Sequence, residues 1–313
     1  MAKYKKFVSV VAYMCNQEKC AGDFIGSVMN KCTELFDRCE LILVNDASTD
    51  NSLDTVRKYL ADNKPTYMVS IVKLSTRQGL EPAMNAGRDM AIGDFVYEFD
   101  DMLRDYDPSV IDEAFEECLK GADVVSVASD TKIRLSSQIF YKVYNRFSGA
   151  QNPIGNETFR LLSRRAVNRV KAMGVYIPYR KAVYMNSGLK VAGIKYTSTF
   201  GSGMNVHSVK KRRSDLAIDS FIYFTDVLEK VSLAISVIFF VIALIVVIYV
   251  IQSFFMDDKL LSGWVSIMGF LSIGFVGIFT LLTIILRYLS VIVNLVFKQQ
   301  RYLIEDIEKI AGN

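Results

Sequence analysis

LILVNDASTDNSLDTVRKYLA, residues 41–61, runs from an apolar strand-like segment (Leu41 to Val44) through a polar turn (Asn45 to Asp50) into an amphipathic helix (Asp50 to Ala61). A short β-branched run that ends in acid and opens a helix is one βα unit, and the flanking sequence repeats the pattern. Phe7 to Ala12, Val69 to Leu74, Asp94 to Phe99 and Asp123 to Ala128 read as further strands, and Glu81 to Ile92 and Pro108 to Lys120 as further helices. The alternation predicts an α/β fold, a mainly parallel sheet with helices on both faces. Ligands of such sheets bind outside the carboxyl ends of the strands.

Three strand exits carry polar clusters. After Val44, Asp46 lies ahead of the helix cap, where a carboxylate can accept hydrogen bonds from a nucleobase, with Asn45 beside it. Thr49 or Asp50 can equally serve as the N-cap, a purely structural role. After Leu74, Gly79 suits a tight turn, Pro82 falls near helix position N1, and Arg77 can approach a phosphate. After Tyr97 come Glu98-Phe99-Asp100-Asp101; Mg²⁺ and Mn²⁺ bind through one or two carboxylates plus substrate phosphates, but a short acidic turn is also an ordinary solvated feature. Glu157, next to Asn156, can face an acceptor or cap a strand.

Of the 313 residues 51% are hydrophobic, and the excess sits late in the chain. Val231 to Phe255 and Leu260 to Leu286 contain no Asp, Glu, Lys or Arg, and about 20 apolar residues suffice to cross a bilayer. Only Met256 to Lys259 separate them, which predicts a two-helix transmembrane hairpin. Lys210, Lys211, Arg212, Arg213 and Lys230 precede it and Arg287, Lys298 and Arg301 follow, so the catalytic body and both termini are expected on the cytoplasmic side of a bacterial-type inner or plasma membrane. Met1 to Lys6 lead directly into a strand, and no signal peptide is expected.

The expected plan is a catalytic domain over 1–214, a juxtamembrane amphipathic helix over 215–230, two spans over 231–286, and a C-terminal amphipathic helix and tail over 287–313. Leu135 to Phe147 suits a helix on the membrane surface or on the domain. The helix Arg287 to Ile310 can pack between copies of a homo-oligomer. Five cysteines without paired metal spacing read as reduced thiols. A net charge of +4 is too mild for a nucleic-acid binder; its clustering beside the hairpin points to anionic headgroups or a phosphate-bearing substrate. His207, the one histidine, builds no transition-metal site alone.

Val8-Ser9-Val10-Val11-Ala12 with Asn16-Gln17-Glu18, then Val44-Asn45-Asp46-Ala47-Ser48-Thr49-Asp50, then Glu98-Phe99-Asp100-Asp101 follow the order of motifs in family-2 inverting glycosyltransferases and resemble them. Phe159-Arg160-Leu161-Leu162-Ser163-Arg164, joined to the two spans, resembles the polyprenyl-phosphate branch of that family, the dolichyl-phosphate-mannose-synthase-like enzymes. The resemblance implies a GT-A-like, Rossmann-type domain that inverts the anomeric carbon of a hexose-type sugar. The donor would be a nucleotide-sugar, the acceptor polyprenyl phosphate and the cofactor Mg²⁺ or Mn²⁺. Asn16, Glu18, Asn45, Asp46 and Arg77 would surround the nucleotide, with Asp46 on the base; a uracil edge matches Asp46 and Asn45, so UDP is the preferred donor nucleotide. Glu98 and Asp100 would flank ribose and diphosphate, with Glu98, Asp100 and Asp101 as the metal set. Arg160 would bind phosphate near the acceptor, and Glu157 would face it.

The chain departs from that pattern at Tyr13 (proline in the family), Asn45 (acid), Ala47 (glycine) and Glu98 (aspartate). Gly203-Met204-Asn205-Val206 stands where the family has Gly-x-Ser-Lys, with Lys210 and Lys211 downstream as substitute phosphate partners. The alternatives are transfer to another acceptor and an inactive binding or scaffold relative. A transporter is disfavoured, since two spans enclose little pathway.

Overall fold

The computed structural model describes residues 3–130, 155, 157–173, 179–198, 263–297 and 302–310, with isolated positions between 138 and 146 and between 234 and 248. The expectations placed on Gly203 to Val206, His207, Lys210, Lys211 and residues 215–230 lie outside the described residues, as do most of Leu135 to Phe147 and of Val231 to Phe255. The chain divides into two units, one of residues 1–145, 150–216 and 299–313, the other of residues 146–149 and 217–298.

In the first unit the elements run β1 (Tyr4–Met14), α1 (Ala21–Leu35), β2 (Phe36–Asn45), α2 (Ser52–Asn63), β3 (Met68–Leu74), α3 (Leu80–Met90), β4 (Phe95–Phe99), α4 (Ser109–Leu119), β5 (Val124–Ser129), β6 (Glu157–Ser163), α5 (Arg164–Ala172), α6 (Arg180–Asn186), β7 (Val191–Tyr196) and, closing the chain, β8 (Ile304–Ile310). They form one eight-stranded sheet in the order β7-β5-β6-β4-β1-β2-β3-β8. β3, β2, β1 and β4 are mutually parallel, as are β5 and β7. β6 runs against both β4 and β5, and β8 against β3, so the sheet is mixed where a mainly parallel one was expected.

The alternating pattern explains the two covered faces. Val8, Val10 and Ala12 of β1 join Phe24 of α1 and Phe115 of α4 in the main core. Val11 points the other way, toward α3, where Gly87 is needed for close approach: a Cβ there would lie 2.4 Å from Val11 Cγ1 and 2.7 Å from Val44 Cγ2. Aromatic rings bind the exit of β4 to β6, with Phe99 and Phe159 centroids 4.8 Å apart and Tyr106 to Phe159 5.0 Å. Truncating a buried phenylalanine such as Phe159 to alanine costs about 3–5 kcal/mol, so the backbone that carries Asp100 and Arg160 is firmly held.

The C-terminal segment differs from expectation. Ile304, Ile307 and Ile310 recur every three residues, which suits a helix, yet Ile304–Ile310 is a strand. The open edge of β3 offers a row of unpaired backbone groups, and the tail pairs with it antiparallel, Val69 opposite Ile310. Ion pairs fix the register: Arg57 Nη2 to Glu308 Oε2 at 2.8 Å and Lys73 Nζ to Asp306 Oδ2 at 3.2 Å. Gln78 grips the same segment twice. Its Nε2 donates to Leu303 O at 2.7 Å, and Leu303 N donates to its Oε1 at 2.8 Å.

In the second unit α7 (Trp264–Phe297) is one continuous helix of 34 residues. It carries exposed apolar side chains, among them Ile267, Leu271, Ile278, Ile285 and Leu289. Counted over the described residues alone, no helix is long and apolar enough to cross a membrane, and the expected hairpin is not established by the structure.

Candidate active site

Because β1 to β4 are parallel, the loops after all four leave from one edge of the sheet. Asn16, in the left-handed region at φ 56°, ties the first two loops together: its Oδ1 accepts from Thr49 N at 2.8 Å and its N donates to Ser48 Oγ at 3.1 Å. Glu18 N donates to Asp50 Oδ2 at 3.2 Å, and Asn45 Oδ1 accepts from Ser48 N at 3.2 Å to close the turn. Asp50 also accepts from Ser52 N at 3.1 Å at the start of α2, although the cap position itself is Asn51. Ala47 adopts φ 49°, a conformation that favours glycine. Arg77 is exposed on the loop after β3. The loops that carry Asn16, Glu18, Asn45, Asp46 and Arg77 thus leave from one edge of the sheet.

Asp46 does a different job from the one expected. It is fully buried, with Oδ1 accepting from Gln78 N at 2.6 Å and Oδ2 from Gly79 N at 2.8 Å and from the Tyr13 hydroxyl at 2.9 Å. Its carboxylate staples the β3–α3 turn to the sheet and is not presented to a base. Gly79 takes φ 98° so that its amide can face Asp46. Tyr13, the residue standing in place of proline, supplies the third donor. Burial and the Asp46 charge push its phenol well above the usual range, so it stays protonated as a donor.

The fourth edge holds a buried ion network. Cross-strand register sets Glu98 of β4 opposite Arg160 of β6. Glu98 is fully buried: its Oε2 accepts from Arg180 Nη1 at 2.6 Å and Arg160 Nη1 at 3.2 Å, and its Oε1 from the Tyr184 hydroxyl at 2.9 Å. Asp100 receives Arg180 Nη2 on Oδ1 at 2.8 Å and Arg160 Nη2 on Oδ2 at 3.0 Å. Arg160 reaches Glu157 Oε2 at 3.3 Å, and Arg180 Nε reaches Glu81 Oε2 at 2.8 Å. Arg88 lies behind, donating to Tyr184 Oη at 2.9 Å. Burial alone drives the Glu98 carboxyl up, but Arg180, Arg160 and Arg88 outweigh it and hold it below its ordinary value. At Asp100 burial is likewise overcome, by Arg160 and Arg180, and its carboxyl sits well below the usual range.

Arg88, Arg180, Tyr184 and Glu81 were not singled out in the sequence. Arg88 left one trace, a charge four residues after the fully buried Met84 on the apolar stripe of α3. Arg180 left none, because its partners lie 80 to 99 positions away.

The expected metal set, Glu98, Asp100 and Asp101, does not fit a divalent ion as it stands. Glu98 has no exposed surface, and both its oxygens are held. Asp100 is paired with two guanidiniums, and Asp101 Oδ1 accepts the Leu103 amide at 2.7 Å. Among the described residues no group of three histidine, cysteine or acidic side chains is arranged to hold a metal. Two unit charges about 4 Å apart interact by about 4 kcal/mol at an effective dielectric near 20, and a divalent ion beside a guanidinium doubles that repulsion. Arg160 is corrected for the same reason: fully buried between carboxylates, it is not open to an acceptor phosphate.

Residues 9–171, from β1 to α5, match the family model described as Glycosyl transferase family 2. The chain is 29% identical over 199 residues to an uncharacterized glycosyltransferase of Synechocystis, covering 62% of this chain and 59% of that protein. It is 28% identical over 195 residues to a prophage bactoprenol glucosyl transferase homolog of Escherichia coli, covering 60% and 62%. It therefore spans about three fifths of the length of these curated relatives. Among solved structures, a mannosyltransferase of Pyrobaculum calidifontis in complex with GDP-Man and Mn²⁺ aligns at 16% identity with a TM-score of 0.48, over 70% of this chain and 64% of that one.

Proposed function

The chain belongs to glycosyl transferase family 2, and from that membership we propose that it moves a hexose-type sugar from a nucleotide-sugar, UDP-linked by preference, onto polyprenyl phosphate with inversion. The observation that carries this reading is the gathering of Asn16, Glu18, Asn45 and Arg77 at the carboxyl edge of four parallel strands, inside the matched region. The Escherichia coli relative's name, a bactoprenol glucosyl transferase homolog, supports the lipid acceptor. In the reaction a lipid phosphate oxygen attacks the anomeric carbon from the face opposite the nucleotide. The bond from that carbon to the donor diphosphate breaks, and the nucleoside diphosphate leaves with the electron pair. An ionised phosphate needs no base to become a nucleophile, so the protein's part is to orient both substrates and offset charge on the leaving group. We assign Arg77, exposed on the loop after β3, to meet that charge. Asp46 acts one step back, fixing the Gln78–Gly79 turn beside it.

The membrane part of the reading rests on sequence. Val231 to Phe255 and Leu260 to Leu286 are charge-free, and α7 is helical from Trp264 through the end of the second of them. A hairpin anchor would hold the catalytic body at the surface where a polyprenyl phosphate presents its head. Protease protection in membrane vesicles tests it: a hairpin leaves both flanks cleavable from one side and its connecting loop, residues 256–259, reachable only from the other, whereas cleavage between the spans from the same side as the flanks contradicts it.

The deciding assay offers radiolabelled UDP-, GDP- and CDP-sugars with undecaprenyl or dolichyl phosphate to the purified full chain. Label entering the organic phase is the expected result, with the product's anomeric configuration opposite to the donor's. One observation favours a second reading, an inactive nucleotide binder: Asp46 and Glu98, two positions the family uses for ligand, are here fully buried and internally paired. Binding of a nucleotide without transfer to any acceptor would select it.

A further inference from the structure

Asp100 stands where the sequence leads one to expect a divalent cation, and although its side chain is 15% exposed, both its oxygens are already engaged by arginine. Oδ1 takes Arg180 Nη2 at 2.8 Å and Arg160 Nη1 at 3.4 Å, and Oδ2 takes Arg160 Nη2 at 3.0 Å. Two residues earlier, the same guanidiniums grip Glu98 Oε2, and Tyr184 closes Oε1. The extra methylene of Glu98 over aspartate lets its carboxylate reach between the two forks. Arg160 and Arg180 are both fully buried. A guanidinium stays charged and spans two carboxylates with a rigid planar fork, so neither side chain can neutralise itself to make way. An incoming cation would meet two fixed positive charges and would have to draw Asp100 away from both, leaving the buried cluster with an excess of positive charge.

We infer that Glu98, Asp100, Arg160 and Arg180 form a closed lock that takes no divalent cation, and that sugar transfer by this chain, on the transferase reading above, runs without one. Arg160 and Arg180 are positioning residues. They join the exit of β4 to β6 and to the start of α6, and they touch neither donor nor acceptor. The bond changes at the anomeric carbon are those already given, and they need no redox partner and no proton transfer.

The test reads metal binding apart from activity. Mn²⁺ is titrated into the full-length protein in detergent with UDP, and the free-Mn²⁺ electron paramagnetic resonance signal is followed beside a UDP-only control. The expected result is no protein-dependent loss of signal, together with transfer rates in EDTA within about two-fold of those in Mg²⁺, against the loss of about 100-fold or more that removing a catalytic metal brings. Protein-dependent Mn²⁺ uptake that disappears in Asp100→Asn or Asp101→Asn, or collapse of transfer in EDTA, would overturn the lock. Arg180→Met, checked for folding by circular dichroism, should expose Asp100 and gain Mn²⁺ uptake; if it does not fold, the wild-type titration decides alone. If no donor is transferred under any condition, the transferase reading fails while the Mn²⁺ signal still decides the lock.

Discussion

Asp46 and Glu98 are both fully buried carboxylates at the same edge of the sheet, two strands apart, and they are held in opposite ways. Asp46 is surrounded by neutral donors, two backbone amides and a phenol. Glu98 is surrounded by cations, with guanidiniums at 2.6 and 3.2 Å and a third at 4.0 Å. The first arrangement is a turn built around an acceptor, and its donors come from the loops themselves. The second is a charge-balanced cluster whose members are drawn from α3, β4, β6 and α6, so losing one member leaves uncompensated charge on the rest.

The sharpest way to break the contrast is Arg180→Ala. It leaves Glu81, Glu98 and Asp100 short of a cation in a buried site and should cost about 3–5 kcal/mol of unfolding free energy, measured by urea denaturation; a loss under about 1 kcal/mol would dissolve the distinction between a cluster and a surface pair. Asp46→Asn keeps the shape of its site but replaces an acceptor oxygen by a donor facing donors. About 2–3 kcal/mol should be lost there, with the Gln78 and Gly79 amides gaining hydrogen exchange as the local signature.

Acid sharpens the contrast further. The folded pKa values of Glu98 and Asp100 lie below their ordinary ones, so their contribution is complete above the unfolded carboxylate range, near pH 4, and is lost as pH falls through the depressed values. Stability should stay level from about pH 7 to 5 as far as these groups are concerned and fall below about pH 4; Glu98→Gln should flatten that acid limb by about one proton. A limb of unchanged slope would mean that Glu98 contributes nothing to it. The smallest effect is expected at Ala47→Gly, which removes left-handed strain on the Asp46 side and should raise stability by less than about 1 kcal/mol, seen as a small rise in melting temperature.

The same contrast explains what was legible in the sequence. Strand and helix in the first half follow from local alternation: Val69 to Leu74 was expected and Met68–Leu74 is observed, Pro108 to Lys120 was expected and Ser109–Leu119 is observed. Parallel connection then sends Asn16, Asn45 and Arg77 to one edge without further information. The ion cluster was half visible, since Glu98, Asp100, Glu157 and Arg160 sit in recognisable motifs, but their mutual pairing was not. Whether a carboxylate at a strand exit faces a ligand or an arginine depends on Arg180, which no local pattern connects to β4. β6 was visible as a motif and missed as a strand. β8 was missed because its isoleucines keep a helical interval while the bare edge of β3 decides their conformation.

That last strand also sets a schedule. Gln78 and its partner Leu303 are 225 positions apart, and at synthesis rates of about 5–20 residues per second the loop after β3 waits about 10–45 s for the segment that completes it. Throughout that interval the nascent chain carries an unprotected sheet edge, a template for pairing with a neighbouring polypeptide. Synthesis is therefore a hazardous stage for this protein, and the emergence of β8 is what ends the danger.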